Sequence, residues 1–132
     1  MLPEVSYVIV CYNSERYIRK CIESIKNQTH SDFEIIVSDN NSIDKTVAAV
    51  NDLLLQNKNI KLILNKKNLG YGQAINEAIP LCGGELIVSL NADVSLDPNW
   101  TSKLLNKLKS NEKIMALSGT VLFSTEIGRA HV

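Results

Sequence analysis

Short apolar runs alternate with amphipathic stretches along this chain. The runs are rich in β-branched residues and end in polar ones, as strands do; they span residues 5–11, 33–38, 60–64 and 86–90. Between them, apolar residues recur at three- and four-residue spacing, with charged residues on the opposite side, as in amphipathic helices; these stretches span residues 15–27, 45–54, 70–82 and 98–108. This alternation predicts an α/β fold in which a mostly parallel, Rossmann-like sheet is sandwiched between helices.

Boundary signals refine these elements. Asp44 is placed to cap the second helix, and Asp97 before Pro98 is typical of a helix start. Pro80 lacks an amide hydrogen, so we expect it to kink or end the third helix. The fourth strand is almost continuously apolar, with Ser89 as its one polar residue, which predicts that helices cover both of its faces.

The last part of the chain departs from the alternation. Strand candidates span residues 114–117 and 121–123, but residues 127–132, I-G-R-A-H-V, have no period. This hexapeptide resembles the translation of an adapter used in DNA sequencing. We therefore expect a chain truncated at its carboxyl end, with one domain over residues 1–126 and a non-native tail over residues 127–132.

Charge and cysteine content narrow the function. Fourteen basic residues balance fourteen acidic ones, so no net positive field would hold nucleic acid, and we expect no nucleic-acid partner. The three cysteines form no CxxC or Cys/His cluster, which predicts reduced thiols in a cytoplasmic protein. Neither a signal peptide nor an apolar run of about 18 residues is present, so we expect membrane association only through regions outside this chain.

Polar residues follow each predicted strand, at the sheet edge where ligands bind in parallel sheets. Asp39 could accept hydrogen bonds from a nucleobase or a ribose hydroxyl. An Asp followed by two Asn and a Ser equally forms turns that satisfy local backbone donors. The residues alone leave both interpretations open.

Asn91 and Asp93 lie two residues apart and so share one face of the fourth strand's end. An amide and a carboxylate oxygen can hold Mg²⁺ or Mn²⁺, but the ion needs water and a diphosphate to complete its octahedron. Such a site would take phosphate-bearing substrates. A strand-ending turn without a ligand is the alternative.

Two other strand ends carry weaker signals. Gly70 and Gly72 stand where backbone amides at a helix start could approach an anion. Ile75 replaces the third glycine of a dinucleotide-binding fingerprint, which disfavours NAD. Tyr12 and Asn13 could contact a base, or could equally serve packing and helix capping.

Four segments, taken in order, resemble the family 2 glycosyltransferases of the GT-A fold. They are V-S-Y-V-I-V-C-Y-N, D-F-E-I-I-V-S-D-N-N-S-I-D-K-T, N-L-G-Y-G-Q-A-I-N-E-A and G-G-E-L-I-V-S-L-N-A-D, and the resemblance covers residues 4 to about 123. It implies an inverting glycosyltransferase that moves a sugar from a nucleotide-diphosphate-sugar donor to a saccharide or lipid-linked acceptor. It also implies Mg²⁺ or Mn²⁺ on the diphosphate.

The resemblance assigns roles by position. Asp39 would bond the base or ribose, as the first acid of the family's D-D-x-S-x-D segment does, and Asp93 would be the metal ligand at the last acid of D-x-D. Asn91 departs from the pattern, because an amide replaces the first aspartate and removes a charge. The substrate-binding residues implied in this way are Tyr12, Asn13, Asp39, Asn41, Asn68, Gly70, Gly72 and Asn91.

The N-x-D and N-x-G-[FY]-G patterns together resemble rhamnosyltransferase-like members of the family. They imply a hexosyl- or rhamnosyltransferase, a deoxythymidine-diphosphate sugar as donor, and a role in cell wall or polysaccharide biosynthesis. A cytoplasmic location, at the inner face of the membrane beside a lipid-linked acceptor, is also implied.

In the family, the base that activates the acceptor lies beyond the present carboxyl end. We therefore expect no catalytic residue in this chain, which would hold the donor and metal site but transfer no sugar. A non-catalytic nucleotide-binding or nucleotide-sugar-binding module, with its metal site degraded at Asn91, is the alternative.

Overall fold

The structure is a computed structural model that describes residues 2–111 and residue 113. The predicted strands at residues 114–117 and 121–123 and the predicted tail at residues 127–132 lie outside the described residues. The elements are, in chain order, β1 (Val5–Cys11), α1 (Ile18–Lys26), β2 (Phe33–Asp39), α2 (Thr46–Leu54), β3 (Ile60–Leu64), α3 (Tyr71–Ala78), a 3₁₀ turn (Ile79–Leu81), β4 (Leu86–Asn91) and α4 (Trp100–Lys109).

The four strands form one parallel sheet in the order β3-β2-β1-β4, which confirms the predicted α/β fold. In register, Cys11 lies opposite Asp39, and Val10 lies opposite Asn91. The chain adds strands on one side of β1 and then places β4 on its other side. A crevice is expected at the carboxyl ends of β1 and β4, where the order reverses.

Apolar residues cover both faces of the central strands, in the period of two that a strand imposes. Tyr7 and Ile9 of β1 belong to a large cluster that includes buried residues of α1, α2 and α4. Val8 and Ile36 face the other way and pack against Ala78 of α3. β1 is therefore buried along its whole length, which gives the site a rigid base.

β4 differs from the prediction. Its Val88 and Leu90 are buried, but Ile87, Ser89 and Asn91 are exposed. Within the described residues, the expectation that helices cover both faces of this strand is therefore wrong. The reason lies in the sheet order, because α3 packs on β1 and β2, while β4 is an outer strand of the sheet that the described residues form.

Two helix boundaries also depend on local chemistry. α1 begins at Ile18 rather than at residue 15, because the amides of Tyr17 and Ile18 both donate to the Ser14 carbonyl in a preceding turn, at 3.0 Å. α3 ends at Ala78, and the chain continues as the 3₁₀ turn that contains Pro80. This change confirms the expected effect of the proline.

A buried polar cluster holds the segment before β4. The Glu34 carboxylate accepts hydrogen bonds from the Ser6 hydroxyl at 2.6 Å and from the Gly83 amide at 2.6 Å, and Lys61 lies 3.5 Å away. Burial disfavours the charged carboxylate, but these hydrogen bonds and the lysine charge outweigh it, so the pKa of Glu34 lies below its ordinary value. The next residue, Gly84, donates its amide hydrogen to the Ser6 hydroxyl at 2.8 Å.

A buried glutamine attaches α4 to the rest of the fold. The Gln28 side chain donates to the Asp97 carbonyl at 2.6 Å and accepts from the Thr101 amide at 3.0 Å. The Thr29 amide donates to the Pro98 carbonyl at 2.8 Å. These bonds fix the chain just beyond Asp93. None of the helices in the described part of the chain has the length and apolar character that crossing a membrane requires.

Candidate functional site

A cavity of about 470 Å³ opens at the carboxyl ends of β1 and β4. It lies where the strand order reverses, as expected for a ligand site in an open parallel sheet. Its volume is within the range of small-molecule sites. The lining residues come from four strand ends and the loops that follow them: Val10, Cys11, Tyr12, Asn13, Ser14, Tyr17, Asn40, Asn68, Gly70, Tyr71, Asn91, Ala92 and Asp93.

The cavity brings together most of the residues singled out from the sequence. Those that line it are Tyr12, Asn13, Asn68, Gly70, Asn91 and Asp93. Asp39, Asn41 and Gly72 are not among the lining residues. Their direct contact with a ligand stays a prediction.

The Asp39 carboxylate is occupied by donors of its own chain. Only 2% of Asp39 is exposed. Its oxygens accept hydrogen bonds from the Ser42 amide at 2.9 Å and the Ser42 hydroxyl at 2.6 Å, and the Cys11 thiol lies within 3.4 Å. These are the local hydrogen bonds of the turn interpretation, while contact of Asp39 with a base or a ribose stays a prediction. Burial, together with the negative charge of Asp39, raises the pKa of the Cys11 thiol, so Cys11 stays protonated and can donate.

Asn13 joins the loop after β1 to the loop after β2. Its φ of 48° lies in the left-handed region, which asparagine tolerates better than most residues. The Asn13 amide donates to the Ser42 hydroxyl at 2.8 Å, and its side-chain oxygen accepts from the Ile43 amide at 2.9 Å. Ser42 thus connects Asn13 with Asp39, and the side-chain oxygen of Asn13 holds the loop after β2.

Asp44 strengthens the same junction. It accepts from the Thr46 amide at 2.9 Å and from the Glu15 amide at 3.2 Å. Burial opposes the charge on Asp44, but these hydrogen bonds and that of the Thr46 hydroxyl outweigh it and lower the pKa of Asp44. The N-cap of α2 is Lys45 rather than the predicted Asp44, because the helix begins one residue later than expected, at Thr46; Asp44 instead joins the first helical amide to the β1–α1 loop.

The end of β4 presents two oxygen donors to the cavity. Asn91 and Asp93 are both exposed and both line it. The Val94 amide donates to the Asn91 carbonyl at 3.1 Å, which turns the chain here. Cys21, beneath this turn, offers no soft ligand, because burial and the Asp93 charge raise its pKa to about 12.

The donor set at this turn suits a hard cation only in part. Within residues 2–111, no group of three or more His, Cys, Asp or Glu side chains could hold a metal ion. One carboxylate and one amide oxygen fit Mg²⁺ or Mn²⁺ when a bound phosphate and water supply the other ligands. The geometry therefore fits an ion shared with a ligand, not a resident ion.

Seven of the thirteen lining residues were not predicted as site residues, and Tyr17, Asn40 and Tyr71 are among them. Tyr17 fitted the apolar period of the first helix, yet the helix begins one residue later and leaves 40% of Tyr17 exposed. Tyr71 belongs to the N-x-G-Y-G pattern, which could have indicated it. No signal in the sequence separates Asn40 from Asn41.

The model of the family described as glycosyl transferase family 2 matches residues 6–131. An uncharacterized glycosyltransferase of Haemophilus influenzae is 36% identical over 87% of this chain, and one of Methanocaldococcus jannaschii is 37% identical over 96%. The chain spans 36% and 44% of the lengths of these two relatives.

A third relative has a more specific name. It is the GalNAc(5)-diNAcBac-PP-undecaprenol beta-1,3-glucosyltransferase of Campylobacter jejuni, which is 32% identical over 95% of this chain. The matched region is 40% of the length of that protein.

Solved structures share the fold. S. aureus TarS 1-349 in complex with UDP-GlcNAc gives a TM-score of 0.75 at 23% identity, over 92% of this chain and 37% of that one. The mannosyltransferase PcManGT from Pyrobaculum calidifontis, in complex with GDP-Man and Mn²⁺, gives 0.76 at 23% identity, over 82% and 33%. At this identity the likeness shows the shared fold alone.

Proposed function

The chain belongs to glycosyl transferase family 2, and from this premise we propose that it forms the donor-binding half of an enzyme that transfers sugar from a nucleotide-diphosphate sugar. The observation that carries the proposal is the cavity at the ends of β1 and β4, which Tyr12 and Asn13 line on one side and Asn91 and Asp93 on another. A ligand with an aromatic base and a charged diphosphate matches this lining, because the base can contact Tyr12 and Asn13 while the diphosphate shares a metal ion with Asn91 and Asp93.

The base and ribose are assigned to the first part of the cavity. Tyr12, Tyr17 and Tyr71 line it and are 40–49% exposed, so their rings are available to stack on a base. Asn68 and Gly70 line the cavity at the start of α3, where the first amides of a helix have no partner within it. In the proposal these residues lie near the ribose and diphosphate, while Asp39 shapes the rim through Ser42.

Asp93 is the proposed metal ligand, with Asn91 as a neutral oxygen donor beside it. When bound, Mg²⁺ or Mn²⁺ would stabilise the negative charge of the departing nucleoside diphosphate. The fold neighbour from Pyrobaculum calidifontis, which is in complex with GDP-Man and Mn²⁺, supports a divalent ion. The exposure of Asp93 supports its accessibility to a ligand-bound ion.

Finer parts of the proposal rest on the sequence patterns. They favour an inverting hexosyl- or rhamnosyltransferase, a deoxythymidine-diphosphate sugar, and a role in cell wall or polysaccharide biosynthesis. The Campylobacter jejuni relative, whose name includes a PP-undecaprenol compound, supports a saccharide or lipid-linked acceptor. An acceptor of that kind would place the protein in the cytoplasm, at the inner face of the membrane.

The general base for the acceptor hydroxyl is proposed to lie outside this chain. Residues 1–132 should then bind the donor without transferring its sugar. Sugar transfer by the 132-residue chain would contradict this part of the proposal and leave donor binding unaffected.

Calorimetric titration tests the site. UDP, GDP and dTDP are titrated into the chain with Mg²⁺, with Mn²⁺ and with neither ion. We expect at least one nucleotide to bind in a metal-dependent manner, and Asp93→Asn to weaken that binding by about tenfold or more, because a charged ligand is lost. The control is Asp52→Asn on α2, an exposed carboxylate paired with Arg19 at 2.9 Å, which should bind as the unsubstituted chain does. Equal affinities for Asp93→Asn and the unsubstituted chain would exclude the metal site, and failure of all three nucleotides would exclude the function.

A further inference from the structure

Asn40 connects three strand ends that meet at the cavity. It is the first residue after β2, and its amide donates to the Cys11 carbonyl at the end of β1, at 2.8 Å. Its side chain reaches the loop of residues 65–70, which leads from β3 to α3. Only 3% of Asn40 is exposed, although it lines the cavity.

The side-chain amide of Asn40 makes three hydrogen bonds to that loop. Its nitrogen donates to the Gly70 carbonyl at 3.2 Å. Its oxygen accepts from the Leu69 amide at 3.3 Å and from the Asn65 side chain at 3.0 Å. Asn65 in turn donates its side-chain amide to the Ser38 hydroxyl at 2.9 Å and its backbone amide to the Asp39 carbonyl at 2.9 Å, so the start of the loop is also attached to β2 itself.

These partners determine which way the amide points. A backbone carbonyl can only accept, and a backbone amide can only donate. The Gly70 carbonyl, which also accepts from the Ala74 amide at 3.3 Å, therefore takes a donor from position 40, and the Leu69 amide takes an acceptor. A carboxylate has no hydrogen to donate, so Asp at this position would place an oxygen against the Gly70 carbonyl.

Gly70, in the loop that Asn40 holds, has a left-handed backbone. Its φ is 78°, and a Cβ at this position would contact nothing within 4 Å. Hydrogen bonds from two asparagine side chains reach this residue. On the solvent side, the exposed Asn68 side chain accepts a hydrogen bond from the Gly70 amide at 2.9 Å. On the protein side, the buried Asn40 side chain donates to the Gly70 carbonyl.

We propose that Asn40 is a positioning residue that holds residues 68–71 in the shape in which they line the cavity. In this chain, where Asn40 stands at the second acid of the D-D-x-S-x-D segment, the amide group is what does so. Asn40 acts through the loop and makes the loop competent to bind the nucleotide part of the donor. The inference rests on the proposed function, because the ligand is the one proposed above.

The test is Asn40→Asp, titrated with the nucleoside diphosphate that the unsubstituted chain binds, at pH 7.5 and at stepwise lower pH. At pH 7.5 we expect at least about tenfold weaker binding, because a buried donor to Gly70 is lost. A protonated carboxyl group has one donor and one acceptor, so affinity should recover towards that of the unsubstituted chain as the new carboxyl group gains its proton. A role in packing alone would not produce this recovery.

Other titrating groups surround position 40 in both proteins. They are Asp39 and Cys11 at the strand ends, Lys66 and Lys67 in the loop, Tyr71 at the start of α3, and Tyr12, Tyr17 and Asp93 on the cavity wall. At each pH, the affinity of Asn40→Asp is divided by that of the unsubstituted chain, which removes the effect of these shared groups. The matched control is Asn57→Asp, which also loses an amide donor to a backbone carbonyl, that of Leu53 at 2.8 Å, but lies between α2 and β3. It should bind normally.

Hydrogen exchange of the Leu69 amide, measured by NMR without nucleotide, separates this inference from the proposed function. Asn40→Asp at pH 7.5, and Asn40→Ala as the variant more tolerant in folding, should both exchange at Leu69 about tenfold faster or more, with exchange in β1 less affected. Unchanged exchange at Leu69 in Asn40→Ala would overturn the positioning role, as would unweakened binding by Asn40→Asp or a loss that lower pH does not restore. If the unsubstituted chain binds no nucleotide, the proposed function fails, and the link between Asn40 and nucleotide binding fails with it. Faster exchange of the Leu69 amide in the Asn40 variants would still support the role of Asn40 in holding the loop.

Discussion

Glu34 is a buried carboxylate whose charge is held by donors from three separate segments. Ser6 lies on β1, Gly83 precedes β4, and Lys61 lies on β3. Because all three partners stabilise the charged form, the pKa of Glu34 is lower in the folded protein than in the unfolded chain. Its contribution to stability is therefore present above the unfolded pKa, about 4.3, and is lost as the pH falls through the folded pKa.

Glu34→Gln should lower the free energy of unfolding by about 1–3 kcal/mol at pH 7, because hydrogen bonds to a buried charge are weakened. The difference from the unsubstituted protein should shrink at pH values below 4. Urea denaturation at pH 7, 5 and 3.5 measures this trend. Lys61→Met is the control and should cost less than about 1 kcal/mol, because the Lys61 side chain is 60% exposed. A deficit of the same size at pH 3.5 and pH 7 would show that the charge of Glu34 is not the cause.

Gly84 is required by close approach of two backbone segments. A Cβ at this position would lie 2.6 Å from the Ser6 nitrogen and 2.8 Å from the Val5 carbonyl carbon. Backbone atoms cannot move aside as a flexible side chain can. We therefore expect Gly84→Ala to destabilise the protein by about 1–3 kcal/mol in urea denaturation.

Gly72→Ala is the matched control for Gly84→Ala. Gly72 lies in the first turn of α3 with open space around its Cα, so alanine should leave stability unchanged or raise it by up to about 1 kcal/mol. A loss of stability in Gly72→Ala comparable with that in Gly84→Ala would contradict the steric explanation. Nucleotide titration of the same variant also tests whether the Gly72 backbone approaches the diphosphate.

At the scale of elements, loops are joined by side chains rather than by apolar packing. Asn13, Ser42 and Asp44 connect the loop after β1 with the loop after β2. Gln28 does the same for the loop after α1 and the start of α4. The Thr101 side chain, next to that start, is fully buried and hydrogen-bonds to the Tyr7 hydroxyl in the core.

Gln28→Ala should destabilise the protein by about 1–3 kcal/mol, because the buried Thr101 amide loses its partner. The amides of α4 should also exchange faster than those of β1, since the helix loses its attachment. Urea denaturation and hydrogen exchange measure the two effects. Thr29→Ala removes an exposed hydrogen bond to Ser102 in the same region and should cost less than about 1 kcal/mol. Equal effects of the two substitutions would mean that Gln28 is not the attachment.

At the scale of the whole molecule, the sheet order decides where ligands can bind. Because β1 lies between β2 and β4, the loops that follow β1 and β4 diverge and leave the cavity between them. The hydrogen-bonded clusters around Glu34 and Gln28 lie at the other side of the sheet, near the amino ends of the strands. The proposed binding site and these two stabilising clusters are therefore at opposite ends of the strands.

Addition of the bound nucleoside diphosphate should shift the NMR signals of residues 11–14, 68–71 and 91–93, which line the cavity. Residues 56–59, between α2 and β3 at the amino edge, should shift little. With Asp93→Asn, shifts at residues 91–93 should be reduced most, since the metal-linked part of the contact is lost. Shifts centred at the amino edge would contradict the location of the site.

Prediction from sequence was most successful for the elements themselves. β1 and β3 have the predicted bounds, and β2 and β4 each extend one residue further. Helix ends were less predictable, because Ser14 accepts bonds that delay the start of α1. At the site, polar strand ends predicted Tyr12, Asn13, Asn91 and Asp93 as neighbours, but Asn40 was missed because its partners lie 25 or more residues away.

The sequence by itself determined the order of strands and helices and the polar character of each strand end, because these depend on the spacing of residues within one segment. Only the tertiary structure decided the order β3-β2-β1-β4, the exposure of one face of β4, and the choice of Asn40 over Asn41 at the cavity. It also decided that Asp39 bonds to Ser42 and Cys11. Each of these outcomes depends on which separate groups come within contact distance, and the pattern of residues within one segment does not contain that information.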